Sequence, residues 1–346
     1  MKFSIVITTY NRLPLLQRAI ESALAQSLTC EVVVADDCSS DGTAEYVQSL
    51  GDRVVYYRNC VNLGHSATMN AGVRVAKGDW IKPVDDDDYL APNCIEEMSK
   101  AIALHPEAVL CSCQAAQVDA EGKEICRTRQ VFKGKACYIL QEDIHYGMLL
   151  EKVPFGTPIQ VAFHKDAFVH SGGWDPSLTS CDDIDSWIKI AQFGDAIFIN
   201  QLLAYRTNWS GNSSQKIPLQ QRLDTNILMK EKIYALVHEK HRAAIPSFND
   251  IRDYLKLHWS LVALAQVKVI TTIRMLYPVM FSLGAWELLC EDIYSRKSKQ
   301  EFLCIFKEII VPRVLQSESE ASSRALFSEA SAKGEGSENM VVSLGC

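Results

Sequence analysis

The chain has 346 residues, of which 48% are hydrophobic and 22% charged, a globular balance that excludes collagen-like, low-complexity and wholly disordered classes. A chain this long can bury a full core, and at about 150 residues per domain about two domains are expected. Lys and Arg number 35 against 42 Asp and Glu, a formal net charge of −7, which argues against a non-specific nucleic-acid binder because such proteins carry a basic face.

Met1 to Tyr10 holds one lysine and an apolar run too short for a secretory h-region. The sequons Asn208-Trp-Ser and Asn212-Ser-Ser are therefore expected to stay unmodified. Phe3 to Ile7 is a short β-branched strand pattern. From Asn11 to Pro14 a helix opens, with Leu15, Leu16, Ala19, Ile20, Ala23 and Leu24 on its apolar positions. Glu31 to Ala35 reads as a second strand, and Ser39 to Gly42 as a turn or helix start. Val54 to Tyr57 is a third strand, His65 to Ala76 a helix, and Trp80 to Val84 a fourth strand that runs into four aspartates. A helix follows Pro92, from about Asn93 to Leu104, and Val109 to Ser112 is a further strand. Alternation of this kind predicts βαβ units and an α/β fold, with a mainly parallel sheet flanked by helices. Ligands bind at the carboxyl ends of such strands. Thr8 to Asn11, Asp36-Asp37 and Asp85 to Asp88 all fall there, so three polar clusters converge on one edge.

After about Gln215 the pattern becomes helical, over Leu219 to His241 and Ile251 to Ile293, split by Ala244 to Ser247. From Gln316 onward Ser, Glu, Ala and Gly dominate, which predicts a disordered tail. The expected units are a catalytic domain over 1–215, a helical extension over 216–315 and a tail over 316–346. No uncharged apolar run reaches the ~18 residues of a membrane span. Lys256 to Ile293 reads first as an amphipathic helix pair packed on the first domain, and second as a peripheral membrane contact. The twelve cysteines are scattered, with no C-x-x-C, so reduced thiols in a cytoplasmic protein are expected. Cys346 makes no prenylation motif.

Val84-Asp-Asp-Asp-Asp-Tyr89 is the sharpest motif. Adjacent carboxylates repel, so they need solvent, a hydrogen-bond network or a hard cation such as Mg²⁺ or Mn²⁺, which prefers oxygen ligands. The bland alternative is a solvated acidic turn before a helix. Asp182-Asp-Ile-Asp-Ser-Trp187 opens another helix. Asp183 there reads as a general base or simply as a helix cap.

Taken together, Phe3-Ser-Ile-Val-Ile-Thr-Thr-Tyr-Asn11, Ala35-Asp-Asp-Cys-Ser-Ser-Asp-Gly-Thr43, Asn62-Leu-Gly64 to Asn70-Ala-Gly72, Lys77-Gly-Asp-Trp-Ile81 into Asp85 to Asp88, and Gly172-Gly-Trp-Asp-Pro176 with Asp182 to Trp187 resemble glycosyltransferase family 2 over roughly residues 1–210. The resemblance implies a GT-A (Rossmann-like) fold and transfer of a sugar, with inversion, from a nucleotide-sugar donor, a UDP-sugar, to a saccharide or lipid-linked hydroxyl. It implies that Thr8, Tyr10 and Asn11 line the nucleotide, with Tyr10 against the base. Asp37 would bond uracil, with Asp36 beside it. Asp85 would contact the ribose side, with Asp86 next to it, and Asp87 together with Asp85 would hold Mn²⁺ or Mg²⁺ at the diphosphate. Asp183 is similar to the catalytic base, with Asp182 and Trp174 on the acceptor side.

Four departures stand out. Cys38 replaces a usual glycine, Met69 an arginine, Asp182 a glutamate, and Asn208 a histidine that would be a third metal ligand. His164, His170 and Trp187 read as surface or core residues before acceptor contacts. Two rivals remain: a non-catalytic sugar-nucleotide-binding protein, which Asp183 argues against, and a nucleotidyltransferase, whose basic Gly-rich loop is missing from Ile7 to Arg12. The negative charge is concentrated. Asp85 to Asp88 with Asp182, Asp183 and Asp185 supply seven charges and the tail a net three, leaving the remainder at +3. Metal dependence is the expectation that follows.

Overall fold

The computed structural model describes residues 1–128, 132, 134–153, 155–208 and 217–297. The predicted tail and the second sequon lie outside the described residues. The first half alternates strands and helices: β1 (Phe3–Thr9), α1 (Leu13–Leu24), β2 (Glu31–Asp36), α2 (Thr43–Ser49), β3 (Val55–Arg58), α3 (His65–Val75) and β4 (Trp80–Asp85). There follow β5 (Tyr89–Leu90), α4 (Cys94–Leu104), β6 (Ala108–Val118), β7 (Glu124–Arg127), β8 (Ala136–Ile139), α5 (Gln141–Leu149), β9 (Val161–His164), α6 (Lys165–His170), α7 (Asp182–Ile190) and β10 (Asp195–Thr207). The strands form one sheet in the order β3-β2-β1-β4-β9-β6-β10-β5, with β7 on β6 and β8 on β10.

The parallel arrangement holds from β3 through β4 and between β6 and β10. The short strands β5, β7, β8 and β9 pair antiparallel, so the second half of the sheet is mixed. Both faces of the sheet are covered, which explains why β1 and β2 are continuous apolar runs. Side chains alternate across a strand. Ile5 and Ile7 of β1 join the layer built from Leu16, Ala19 and Ile20 of α1 and Ile95 and Met98 of α4. Val6 points the other way, into the layer with Met69 and Val73 of α3 and Trp187 of α7. Gly72 lets α3 approach β1, since a Cβ there would stand 2.5 Å from Val6 Cγ1.

The C-terminal helices are α8 (Leu219–Leu236), α9 (Phe248–Ala265), α10 (Val269–Leu276) and α11 (Leu283–Lys297). Leu223, Met229 and Ile233 of α8 and Ile251 and Leu255 of α9 belong to the same buried cluster as Val6 and Trp187. The predicted long helical stretch from Ile251 is broken at Val267, whose φ of 59° is left-handed, and again near Met280.

Candidate active site

The parallel register lines up the strand ends: Thr8 of β1 stands between Ala35 of β2 and Asp85 of β4, and Thr9 faces Asp36. The polar residues beyond these ends are consequently neighbours. Asn11 Oδ1 accepts from Ser40 N at 2.7 Å, and Asn11 N donates to Ser39 Oγ at 2.9 Å, which joins the β1 and β2 loops. Cys38 takes φ 69°, so the turn keeps the conformation a glycine would favour, at a cost in strain.

The paired aspartates part company. Asp36 is fully buried, accepting from Ser39 N at 2.8 Å and Tyr56 Oη at 2.7 Å beside Arg58. Asp37 accepts from Asn59 Nδ2, Leu63 N and Gly64 N, each at 2.8 Å, and so fixes the loop that leads into α3. Tyr10 stands exposed at the mouth. The Thr8 hydroxyl is buried without a hydrogen-bond partner on the floor of this edge, an unmet polar atom of the kind a ligand satisfies.

The four aspartates after β4 also divide. Asp86 turns inward, accepting from Thr9 Oγ1 at 2.9 Å and Arg12 Nη1 at 2.9 Å. Burial pushes its pKa up to about 6, with the Asp87 charge adding and Arg12 opposing. Asp85, Asp87 and Asp88 instead bring carboxylate oxygens within 4.8 Å of one another. Asp88 accepts from Thr207 N at 2.8 Å, and burial followed by the Asp87 and Asp85 charges raises its pKa well above the usual range. Three carboxylates at this spacing fit a hard divalent cation. The sequence placed Asp85 and Asp87 here; Asp88 is the addition. Asn208, the residue in place of a histidine ligand, lies next to Thr207, with its backbone N bonded to Val118 O at 2.7 Å. Met69 is wholly buried, while Arg12 supplies a cation 3.8 Å from Asp87.

Across the site, α7 starts at Asp182 with acidic residues through its first turn, where the helix dipole favours negative charge. The preceding Cys181 is left-handed at φ 58°. Asp182 accepts from Ser66 Oγ at 2.6 Å. His65 bridges the two carboxylate groups, with Nε2 2.9 Å from Asp85 Oδ1 and Nδ1 3.4 Å from Asp182 Oδ2. Partial desolvation of this half-exposed ring works against the imidazolium, but the two carboxylates outweigh it and raise the His65 pKa above its ordinary value. The same contact holds Asp85 low against its own burial. At Asp183, burial and then the Asp182 charge push the pKa up to about 7 and outweigh Ile184 N, which donates to Oδ1 at 2.8 Å, and the His65 charge. His65 was not singled out in the sequence; its place at the start of α3, just past Gly64, was the available signal.

Trp174 is 1% exposed and stands behind this bridge, 5.1 Å from His65 and 6.1 Å from Trp187 by ring centroids. Its backbone is clamped by Asn70, which donates to Trp174 O at 2.8 Å and accepts from Trp174 N at 2.9 Å. The ring is thus part of the core rather than of the open face. His164 stacks edge-on to Trp80 at the opposite end of β4, and His170 bonds Asp166 O within α6, so neither joins the cluster.

A βαβ half ending in three clustered carboxylates, joined to a half that supplies a second carboxylate pair, is the arrangement that the resemblance to GT-A glycosyltransferases implies. Residues 4–170 match the model of glycosyl transferase family 2. An uncharacterized glycosyltransferase of Haemophilus influenzae is 30% identical over 216 residues, spanning 61% of this chain and 70% of its own. The chain belongs to glycosyltransferase family 2. Among solved structures, S. aureus TarS in complex with UDP-GlcNAc shares the fold at TM-score 0.54 and 18% identity, over 75% of this chain and 71% of its own. The mannosyltransferase PcManGT of Pyrobaculum calidifontis, in complex with GDP-Man and Mn²⁺, does so at TM-score 0.51 and 17% identity, over 89% and 83%.

Proposed function

We propose that this glycosyltransferase inverts the anomeric centre, moving a sugar from a UDP-sugar to a hydroxyl of a saccharide, free or lipid-linked, in a single displacement. The observation that carries this reading is the pairing across one cleft of the Asp85, Asp87 and Asp88 carboxylates with Asp183, whose pKa of about 7 suits a proton acceptor. Thr8, Tyr10, Asn11 and Asp37 form the donor side, and the unpartnered Thr8 hydroxyl is the atom there that a nucleotide would satisfy. Asp36 and Asp86 support it from inside, holding the loops rather than the ligand. Asp85 and Asp87, with Asp88, would hold Mn²⁺ or Mg²⁺, which offsets charge on the departing diphosphate. Asp183 takes the proton from the acceptor hydroxyl, while Asp182 stays ionised beside His65 and Ser66.

The test is sugar transfer and donor hydrolysis by Asp183→Asn, run beside UDP binding. Loss of turnover with UDP binding intact supports the base assignment. Wild-type turnover in that variant defeats it. Stronger stabilisation by a GDP-sugar than by any UDP-sugar would replace the donor.

A further inference from the structure

We propose that the outer face of α10 and the turn into α11 docks on an anionic lipid surface. On α10, Thr272 and Met275 are buried, and the following Val279, with Ala285 and Leu289 of α11, packs on Leu257 of α9. The opposite face has no protein against it among the described residues. Ile270 is 86% exposed, Tyr277 75%, Phe281 84% and Leu283 86%, with Val269, Ile273 and Trp286 also exposed. Ile270, Ile273 and Tyr277 recur at helical spacing, so they form one stripe that runs into Phe281 and Leu283. Soluble monomers rarely leave such a stripe in water.

Charge chooses the occupant. From Leu261 to Trp286 the chain carries Lys268 and Arg274 and no acidic residue, in a protein whose net charge is −7. Both cations are exposed on or beside α10. An apolar stripe with aromatic residues and a cationic rim is the composition of a helix that lies in a headgroup layer. A second copy of the chain would bring like charges together with no carboxylate in the segment to pair them. The helices lie on the surface rather than cross it: among the described residues no single helix is long and apolar enough to span, and the Val269–Val279 and Leu283–Glu291 pair is bent by 113°. Glu287 and Glu291 are exposed on α11, past Trp286.

The full chain is sedimented with phosphatidylcholine vesicles, with and without phosphatidylglycerol, in the absence of any donor, so this inference and the donor reading can fail separately. Binding is expected with phosphatidylglycerol and to weaken as salt rises. Ile270→Glu with Phe281→Glu lowers binding about tenfold or more, and Lys268→Gln with Arg274→Gln about fivefold per charge. Both pairs are remote from the aspartate clusters, and unchanged melting temperatures confirm that they fold. Absence of vesicle binding by the full chain overturns the proposal, as does wild-type binding by the glutamate pair. A concentration-dependent dimer in buffer that the glutamate pair abolishes also overturns it, giving the face to a second copy.

Discussion

His65 touches both carboxylate groups, Asp85 and Asp182, and it does so with different ring nitrogens. Its edge contact with Trp174, itself clamped by Asn70, leaves the ring little freedom to rotate. Residues that orient a metal-binding carboxylate in this way cost about 10–100-fold in metal affinity or activity when removed. His65→Ala is therefore expected to lower kcat and raise the Mn²⁺ concentration for half-activity, with the donor KM moving less. His65→Asn, which keeps one donor, should recover part of the loss; equal kcat in wild type and His65→Ala would refute the role. Asp183, as the proposed base, would set the pH response. Its pKa is raised to about 7 by burial and by Asp182, so the proton-accepting form is the minority below that pH. The sign follows directly: kcat falls by about tenfold per unit below pH 7 and levels off above about 8. A profile flat from pH 5 to about 8 under saturating donor and metal would contradict it.

At the scale of elements, the cleft depends on β4 being held against the segment that leads into β9. Lys82, wholly buried in β4, donates through Nζ to Ile159 O at 2.6 Å, to Pro83 O and Pro158 O at 3.1 Å and to Val161 O at 3.2 Å. Burial lowers its pKa, so removing the charge gives something back, but Met in its place leaves several buried carbonyls unpaired at about 1–3 kcal/mol each. The second effect wins: Lys82→Met is expected to lose about 2–4 kcal/mol, read as a lower urea midpoint at unchanged slope. The parallel half was legible because its strands are buried on both faces and its helices repeat at 3.6 residues. The short antiparallel strands were not, since β5 has two residues and β9 four, too few for any period to show. The same holds for the site. Adjacency made Asp85 and Asp87 visible, but the turn closed by Asp88 N to Asp85 O at 3.0 Å decides that Asp88 faces the pocket and Asp86 the interior. His65 sits 20 residues from Asp85 and 117 from Asp182, so only the fold brings the three together.

For the molecule as a whole, the net charge of −7 is misleading as a surface property, because Asp85 to Asp88 and the Asp182, Asp183 and Asp185 group account for seven negatives. Asp185 is neutralised by Lys189 and Lys232, and Asp86 by Arg12. The trio Asp85, Asp87 and Asp88 holds three carboxylates close together, with His65 paired to Asp85, Arg12 3.8 Å from Asp87, and the Arg206 charge acting on Asp85 and Asp88. A nucleoside diphosphate brings further negative charge to that place, so its binding alone is opposed by Coulomb repulsion in a site partly shielded from water. A divalent ion held by these carboxylates would offset most of that negative charge and, by relieving their mutual repulsion, would also stabilise the folded chain without donor. Mn²⁺ alone is accordingly expected to raise the melting temperature. UDP with Mn²⁺ raises it further, by about 2.7 kcal/mol of stability at a hundredfold excess over Kd, whereas UDP with EDTA leaves it where the apoprotein melts. Asp87→Asn should remove both shifts while keeping the fold. An equal UDP shift with Mn²⁺ and with EDTA would mean that the phosphates are neutralised by protein cations, with Arg12 the first to test.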